Sequence, residues 1–238
     1  MSNEQYVCTV CGFNMVGRRP SHCPFCGAPA ARFLTWQECS ARHHVEETRV
    51  TDRVSRLNSV PRLGIEHAAY RVETPGKILW IDCPSSFDKR LKPADILLFT
   101  HHHFLGASNQ YRDLFRAQVW IHKLDAVHEI CRGFPFDHTF AENFSEAGVE
   151  ARHIGGHTPG FTFYFFEDCL FICDYVFLEH GHMRYNPFGP AGDTVAGGNR
   201  LRDFLQGKDF AWVCGVNYVA PFADWREKFN QMPIYDGY

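Results

Sequence analysis

The sequence predicts a layered α/β domain of about 190 residues, preceded by a small module that a metal ion stabilises. From Val50 onward, short apolar runs rich in β-branched and aromatic residues alternate with segments that suit helices. Before that point, four of the ten cysteines lie within residues 8–26. A module of about 35 residues buries too little apolar surface to fold by itself, so it needs a bound metal.

Composition restricts the classes to which this 238-residue chain can belong. Hydrophobic residues make up 45% and charged residues 21%, which is globular composition. The net charge of −3 offers no general attraction for nucleic acid or an anionic membrane, so we expect neither as a partner. No apolar run has the roughly 20 residues that a membrane helix needs. Residues 1–5 lack signal-peptide features, so we expect a cytoplasmic protein whose cysteines are metal ligands or buried thiols.

The apolar runs place the individual elements. Strands are predicted at residues 68–72, 77–81, 95–99, 117–121, 161–166, 170–172 and 210–213. Helices are predicted at residues 108–116, 124–131 and 198–206. The polar stretch 37–48 is predicted to be a linker, which divides the chain into a cysteine-rich domain over residues 1–36 and a larger domain over residues 49–238.

The cysteine-rich segment carries the strongest local pattern, which we call the four-cysteine site: Cys8, Cys11, Cys23 and Cys26. Two residues between paired cysteines let both thiolates reach one ion, and the glycine after each pair permits a tight turn. Four sulfurs make a closed tetrahedral site for zinc or a single iron. Residues 6–13 and 21–29 resemble the rubredoxin-like module of rubrerythrins. The resemblance implies iron and electron transfer, whereas zinc ribbons share the same ligand arrangement.

Histidines and a carboxylate stand at the ends of the apolar runs. The run 95–99 continues into Thr100-His101-His102-His103, and alternate residues of an extended segment face the same way, so His101 and His103 project together. His157 lies in a glycine-rich loop before the run 161–166, and Asp174 follows the run 170–172. The pattern places metal-ligating residue types beside three of the predicted strands.

These segments, in this order, resemble the metallo-β-lactamase fold superfamily over most of residues 50–220. That family has Thr-His-x-His-x-Asp-His at a strand end, then Gly-His-Thr-Pro-Gly, then an aspartate after a strand, and a final Gly-His. The resemblance implies an αββα sandwich. It also implies that His101, His103 and His157 are ligands of one metal and that Asp174 is the carboxylate that bridges two metals.

The chain departs from the family pattern at the second metal. Leu105 and Gly106 replace the family's Asp-His, and Val216 replaces its final histidine. The resemblance therefore predicts one zinc or iron at His101, His103 and His157 with Asp174, which we call the histidine site. Asp174 is also the expected catalytic residue. Four nearby residues have two alternative interpretations. His180 and His182 are additional ligands or residues of a polar loop, and Cys173 and Cys214 are additional ligands or buried thiols.

Three functions are compatible with these patterns. The first is redox: an iron in the four-cysteine site passes electrons to the metal of the larger domain or to a docked partner protein, an arrangement similar to flavodiiron proteins but without their flavin domain. The second is a mononuclear zinc hydrolase of esters, thioesters or amides, in which Asp174 orients a water or takes its proton and the four-cysteine site is a structural zinc ribbon. The third is a non-catalytic scaffold. Substrate, electron partner and oligomeric state stay open.

Overall fold

A computed structural model describes residues 4–234. Residues 1–3 and 235–238 lie outside the described residues. They include most of the segment 1–5 and the outer limits of both predicted domains. Within the described part, two large β-sheets carry helices on their outer sides and a three-stranded sheet precedes them, which confirms the predicted α/β sandwich with its small N-terminal domain. No helix of residues 4–234 is both long enough and apolar enough to cross a membrane.

The N-terminal module is a three-stranded antiparallel sheet. Its strands are β1 (Gln5–Cys8), β2 (Asn14–Val16) and β3 (Phe33–Thr35), in the order β2-β1-β3. The first cysteine pair begins at the last residue of β1, and the second stands in the loop between β2 and β3. This sheet therefore holds the two cysteine pairs opposite each other.

The stretch predicted to be a polar linker is ordered. Residues 37–48 belong to helix α1 (Trp36–Arg42) and strand β4 (His44–Arg49). A reciprocal capping box starts the helix: Thr35 accepts from the backbone N–H of Glu38, whose carboxylate accepts from the N–H of Thr35. Only Val45 is buried in β4, because this strand forms the edge of a sheet. Polar edge strands of this kind carry no apolar alternation for a sequence pattern to reveal.

The first large sheet has seven strands in the order β10-β9-β8-β7-β6-β5-β4. After β4 the strands are β5 (Val54–Val60), β6 (Ala69–Thr74), β7 (Lys77–Ile81), β8 (Ile96–Leu98), β9 (Gln118–His122) and β10 (His138–Phe140). Strands β7 to β10 pair in parallel, and the rest pair antiparallel. Helices α2 (Ser108–Phe115) and α3 (Lys123–Ala126) flank β9 in the chain.

The second large sheet has six strands in the order β11-β12-β13-β14-β17-β18. Its elements, with the hairpin and helices that accompany them, are β11 (Phe144–Glu146), β12 (Val149–His153), β13 (Thr162–Phe166), β14 (Cys169–Cys173), the hairpin β15 (Val176–Glu179) and β16 (His182–Tyr185), α4 (Ala191–Leu205), β17 (Trp212–Gly215), β18 (Val219–Pro221) and α5 (Phe222–Asn230).

Three apolar layers hold the sandwich together. Trp80 of β7 packs edge-on against Tyr111 of α2 on the outer face of the first sheet. Between the sheets, Tyr70 contacts Phe171 with ring centroids 5.4 Å apart. Phe163 of β13 packs under α4 and α5 on the far side. Successive strand residues serve different layers because side chains alternate across a sheet.

The predicted elements are present, with two differences in the helices. All seven predicted runs form strands, and the predicted helix 108–116 corresponds to α2. The predicted helix 198–206 is the second half of α4, which begins at Ala191. The predicted helix 124–131 divides into α3 and a 3-10 turn, because the side chain of His128 accepts from the N–H of Ile130 and starts a new turn.

The N-terminal module docks tightly onto the larger domain beside the end of β8. Gly64 has φ +55°, and a Cβ there would lie 1.9 Å from the carbonyl oxygen of Val10. The side chain of Gln5 donates to the carbonyl of Gly106 over 2.7 Å, and this hydrogen bond is buried. Phe104, which follows His103, belongs to the apolar core of the module. The two units therefore share one core at this point.

Candidate metal sites

The four cysteines of the four-cysteine site converge at one point of the module. Their sulfurs lie within 4.8 Å of one another, with 3.8 Å between Cys8 and Cys26 and 3.7 Å between Cys11 and Cys23. A tetrahedron whose corners lie about 2.3 Å from its centre, the zinc–sulfur distance, has edges of about 3.8 Å. The observed spacing fits one tetrahedral ion.

Hydrogen bonds among the cysteine side chains shift the pKa values of their thiols. Hydrogen bonds from Cys11 and Cys23, followed by those from the backbone N–H groups of Val10 and Cys11, lower the pKa of Cys8. Hydrogen bonding to Cys23 and Cys8 raises the pKa of Cys11. A bound cation would stabilise all four thiolates, since metal binding releases the thiol protons. Cys26 is exposed while the other three cysteines are buried, so the site has one solvent-facing corner.

The histidine site lies where strand ends from both large sheets meet. His101 and His103 follow β8 of the first sheet, His157 lies in the loop between β12 and β13, and Asp174 directly follows β14. One ligand atom from each of the four lies within 4.8 Å of the others. His101, His157 and Asp174 are each 2% exposed. The structure thus brings together every residue that was predicted for this site.

Distances within the histidine site suit a single ion. His157 Nε2 lies 3.0 Å from His103 Nδ1 and 3.6 Å from Asp174 Oδ2, and His101 Nε2 lies 3.4 Å from Asp174 Oδ1. Ligands at about 2.0–2.1 Å from a tetrahedral ion stand about 3.3–3.4 Å apart. His101 Nε2 and Asp174 Oδ1 are buried without a hydrogen-bond partner among the described residues. Orphaned buried donor atoms of this kind fit a cation.

A second set of contacts fixes the orientation of His101. Its Nδ1 lies 2.9 Å from the hydroxyl of Thr100, which in turn donates to the carboxylate of Asp82 over 2.9–3.0 Å. The hydroxyl therefore accepts the Nδ1–H of His101 and leaves the lone pair of Nε2 directed into the site. Asp82 also accepts from the backbone N–H of Thr100.

Burial disfavours the charged forms of the three imidazoles and of the Asp174 carboxyl. Burial lowers the pKa of His157 to about 4. Burial, together with the charge of the neighbouring His157, lowers the pKa of His103 to about 2. Burial lowers the pKa of His101 as well. Burial raises the pKa of Asp174 to about 8, and the nearby Asp82 adds to this. Neutral imidazole is the form that binds metals, so three of the ligands are ready at neutral pH.

Hydrogen bonds to the carboxylate of Asp125 connect the loop that contains His101 and His103 with the loop that contains His157. This carboxylate accepts from the N–H of His102 at 3.2 Å, from the hydroxyl of Thr158 at 2.8 Å and from the N–H of Gly160 at 2.8 Å. The ring of His102 stacks on His128 with centroids 3.9 Å apart, its Nδ1 lies 3.3 Å from Asp125 Oδ1, and His102 is not among the close group at the histidine site.

Two side chains at the site carry no signal in the sequence. His67, 6% exposed, places Nε2 3.3 Å from Asp174 Oδ2 and Nδ1 3.4 Å from Cys173 Sγ. Asn186, 2% exposed, donates to Asp174 Oδ2 over 2.7 Å. Neither belongs to a recognisable motif, because each arrives through a tertiary contact of a loop. Cys173 was one of the alternative ligands, and it forms a second close group with His67 and Asp174.

The other alternative ligands lie elsewhere. His180 and His182 are exposed in the hairpin β15–β16, outside the close groups of metal-ligating residues found among residues 4–234. Cys214 is fully buried in the apolar layer between the sheets. These positions fit the alternative interpretation, a polar loop for the histidines and a buried thiol for Cys214.

Aromatic rings from both domains lie beside the histidine site. Phe25, between Cys23 and Cys26, lies with its ring centroid 5.7 Å from that of His103. The same ring packs edge-on against Phe104 at 4.7 Å, and Phe104 lies 3.9 Å from the ring of His67. The four-cysteine site and the histidine site are thus joined through one layer of side chains.

Comparison with known proteins agrees with both halves of this architecture. Residues 6–34 match the family "Rubrerythrin, rubredoxin-like domain". No curated protein matches the chain. The N-terminal segment is therefore a rubredoxin-like domain, as its four close cysteines indicate.

Solved structures share the fold of the larger part. A metallo-beta-lactamase from Hirschia baltica superposes with a TM-score of 0.63 at 15% identity, over 80% of this chain and 99% of that one. One from Pontibacter korlensis gives 0.61 at 16% identity, over 79% and 99%. FIM-1 from Pseudomonas aeruginosa, in its mono-zinc form, gives 0.64 at 12% identity, over 79% and 94%. The chain has the metallo-β-lactamase fold.

Proposed function

We propose that the chain is a metal-binding redox protein in which the four-cysteine site passes electrons to an ion held by His101, His103, His157 and Asp174. The contact between Phe25 and His103 carries this proposal. Phe25 is bonded directly to Cys26 and is separated from Cys23 by Pro24 alone, and its ring packs on a ligand of the second site. This arrangement shortens the path between the two sites to a single side chain.

Iron in the two sites would supply a one-electron donor and acceptor, since a four-sulfur cage holds both iron states without an open position. With iron held by the four cysteines and by His101, His103, His157 and Asp174, one electron taken from an external donor protein would be balanced by one electron gained at the histidine site, with no net change at the four-cysteine site. Cys26 is the exposed corner of the four-cysteine site, so we propose that the donor protein docks there. The chain's own residues then line the path: the ring of Phe25 contacts His103 and Phe104.

A mononuclear zinc hydrolase is the second candidate, because three histidines and a carboxylate also suit zinc. A solved neighbour of the same fold, FIM-1, is described in a mono-zinc form. The burial of the site weighs against this function. His101, His157 and Asp174 are 2% exposed, and only His103 of the four site residues is partly exposed, which leaves little open surface for a bulky ester or amide.

The test is the absorption spectrum and metal content of protein produced in iron-supplied cells. The redox proposal predicts a red protein whose sulfur-to-iron charge-transfer bands bleach on reduction with dithionite and return on oxidation. A colourless protein that holds only zinc in both sites would overturn it.

A further inference from the structure

We infer that a second ion binds beside the histidine site, held by His67, Cys173 and Asp174, a group that we call the thiol–histidine site. The inference rests on metal binding at the histidine site and adds to it an ion whose ligands His67 and Cys173 stand outside the family pattern. It replaces the expectation of one ion in the larger domain with two.

His67 lies between the other two donors and turns a different ring nitrogen towards each of them. His67 Nδ1 lies 3.4 Å from Cys173 Sγ, and His67 Nε2 lies 3.3 Å from Asp174 Oδ2. One ligand atom from each residue lies within 4.8 Å of the other two, and all three residues are buried. A thiolate, an imidazole and a carboxylate together suit zinc or iron and leave one position of a tetrahedral ion open.

His67 stands next to the place where the family pattern has its last histidine. That place is Val216 in this chain, whose side chain cannot bind a metal. The backbone N–H of Ala68 donates to the carbonyl of Val216 over 2.9 Å. Because His67 precedes Ala68, the imidazole missing from the end of β17 is supplied by the neighbouring chain segment before β6.

The carboxylate of Asp174 is oriented to serve two ions at once. Its Oδ1 faces Nε2 of His101 at 3.4 Å, whereas its Oδ2 faces Nε2 of His67 at 3.3 Å. Oδ1 is buried without a hydrogen-bond partner among the described residues. Oδ2 also lies 3.6 Å from Nε2 of His157 and accepts from the side chain of Asn186 over 2.7 Å, so it is the oxygen that stands between the two groups. A carboxylate with both oxygens beside imidazoles of two groups can bridge the ions that those groups hold.

The backbone at Cys173 departs from regular strand geometry in the way that this site needs. Side chains of consecutive strand residues point to opposite faces of a sheet. Cys173 has φ +46°, and the pairing of β14 with β17 shifts register between Phe171 and Cys173. As a result, Cys173 and Asp174 both reach the same imidazole. Positive φ is uncommon for residues other than glycine, and such strain concentrates at functional sites.

The test is the number of zinc ions per chain after saturation with zinc and removal of free metal, measured by elemental analysis. Wild-type protein is expected to hold three ions, one for each donor set. His67→Ala and Cys173→Ala are each expected to hold two. Cys173→Asp is expected to hold three, because aspartate offers a ligand oxygen and tolerates positive φ better than most residues. Cys39→Ser, which changes a buried thiol away from the site, is the matched control and is expected to hold three.

Two ions in the wild-type protein, or three in both His67→Ala and Cys173→Ala, would overturn the inference and leave His67 as a hydrogen-bond partner of Asp174. The contrast between Cys173→Ala and Cys173→Asp decides the question even where His67→Ala fails to fold. The count does not depend on redox activity. A colourless protein with three zinc ions would contradict the redox proposal and support this one.

Discussion

The ring of Phe25 lies 5.7 Å from the imidazole of His103, centroid to centroid, and is tilted 59° to it. One residue belongs to the loop that carries half of the four-cysteine site, and the other follows β8 of the larger domain. This contact joins two donor sets that the sequence places more than seventy residues apart. It places the second cysteine pair beside the histidine site.

Replacing the ring of Phe25 should slow electron transfer between the sites. In Phe25→Leu, apolar packing is kept while the aromatic contact with His103 is lost, and we expect the intramolecular rate to fall at least about tenfold, equivalent to about 1.4 kcal/mol in the barrier. Pulse radiolysis of the iron-loaded protein measures this rate. Phe177→Leu, in the hairpin β15–β16, is the control and should leave it unchanged. Equal rates in all three proteins would remove Phe25 from the path.

The hydroxyl of Thr100 should matter for metal affinity although it binds no metal. Thr100→Val keeps the shape but breaks the link from Asp82 to Nδ1 of His101. Loss of such an orienting contact typically costs about 10–100-fold in affinity, and we expect that range for the histidine site. Competition with a zinc chelator measures it. Thr194→Val, a buried threonine of α4, is the matched control, and an equal loss there would show that the effect is general.

The ion of the four-cysteine site should stabilise the whole chain, because the module shares its core with the larger domain. Cys11→Ser removes a buried ligand and is expected to lower the free energy of unfolding by about 4 kcal/mol or more, as loss of a structural metal does. Chemical unfolding followed by tryptophan fluorescence measures the change. An unchanged midpoint, with one ion fewer per chain, would show that the module docks without its metal.

The buried carboxyl of Glu66 should make the free energy of unfolding fall as pH rises. Burial raises the pKa of this carboxyl above the unfolded value of about 4.3, so the unfolded chain releases this proton at lower pH than the folded chain does. Between the two values, each pH unit costs about 1.4 kcal/mol. Glu66→Gln removes the cost, so its stability relative to wild type should increase from pH 4 upward. Urea unfolding at several pH values tests this, with the exposed Glu227→Gln as the control, and parallel pH profiles for Glu66→Gln and wild type would contradict it.

The residues of the histidine site could be predicted from the sequence because His101, His103 and Asp174 follow apolar runs that form strands, and because the motif around His157 resembles that of the metallo-β-lactamase family. Side-chain alternation places His101 and His103 on one side, whereas His157 and Asp174 are added through the family resemblance. His67 could not be found in this way. It approaches the site through the pairing of Ala68 with Val216, a contact between segments almost 150 residues apart. Strand β4 was not predicted for a different reason. Only one of its six residues is buried, so its sequence has no apolar alternation.

Electron transfer from the four-cysteine site to the histidine site can be observed directly in oxidised, iron-loaded protein. Pulse radiolysis delivers one electron per chain, and the charge-transfer band of the iron in the four-cysteine site is then followed with time. The proposed path requires that the band bleaches and then recovers in a first-order phase independent of protein concentration, and that His103→Ala abolishes the recovery. A bleached band that persists equally in the wild-type protein and in His103→Ala would show that no electron passes between the two sites.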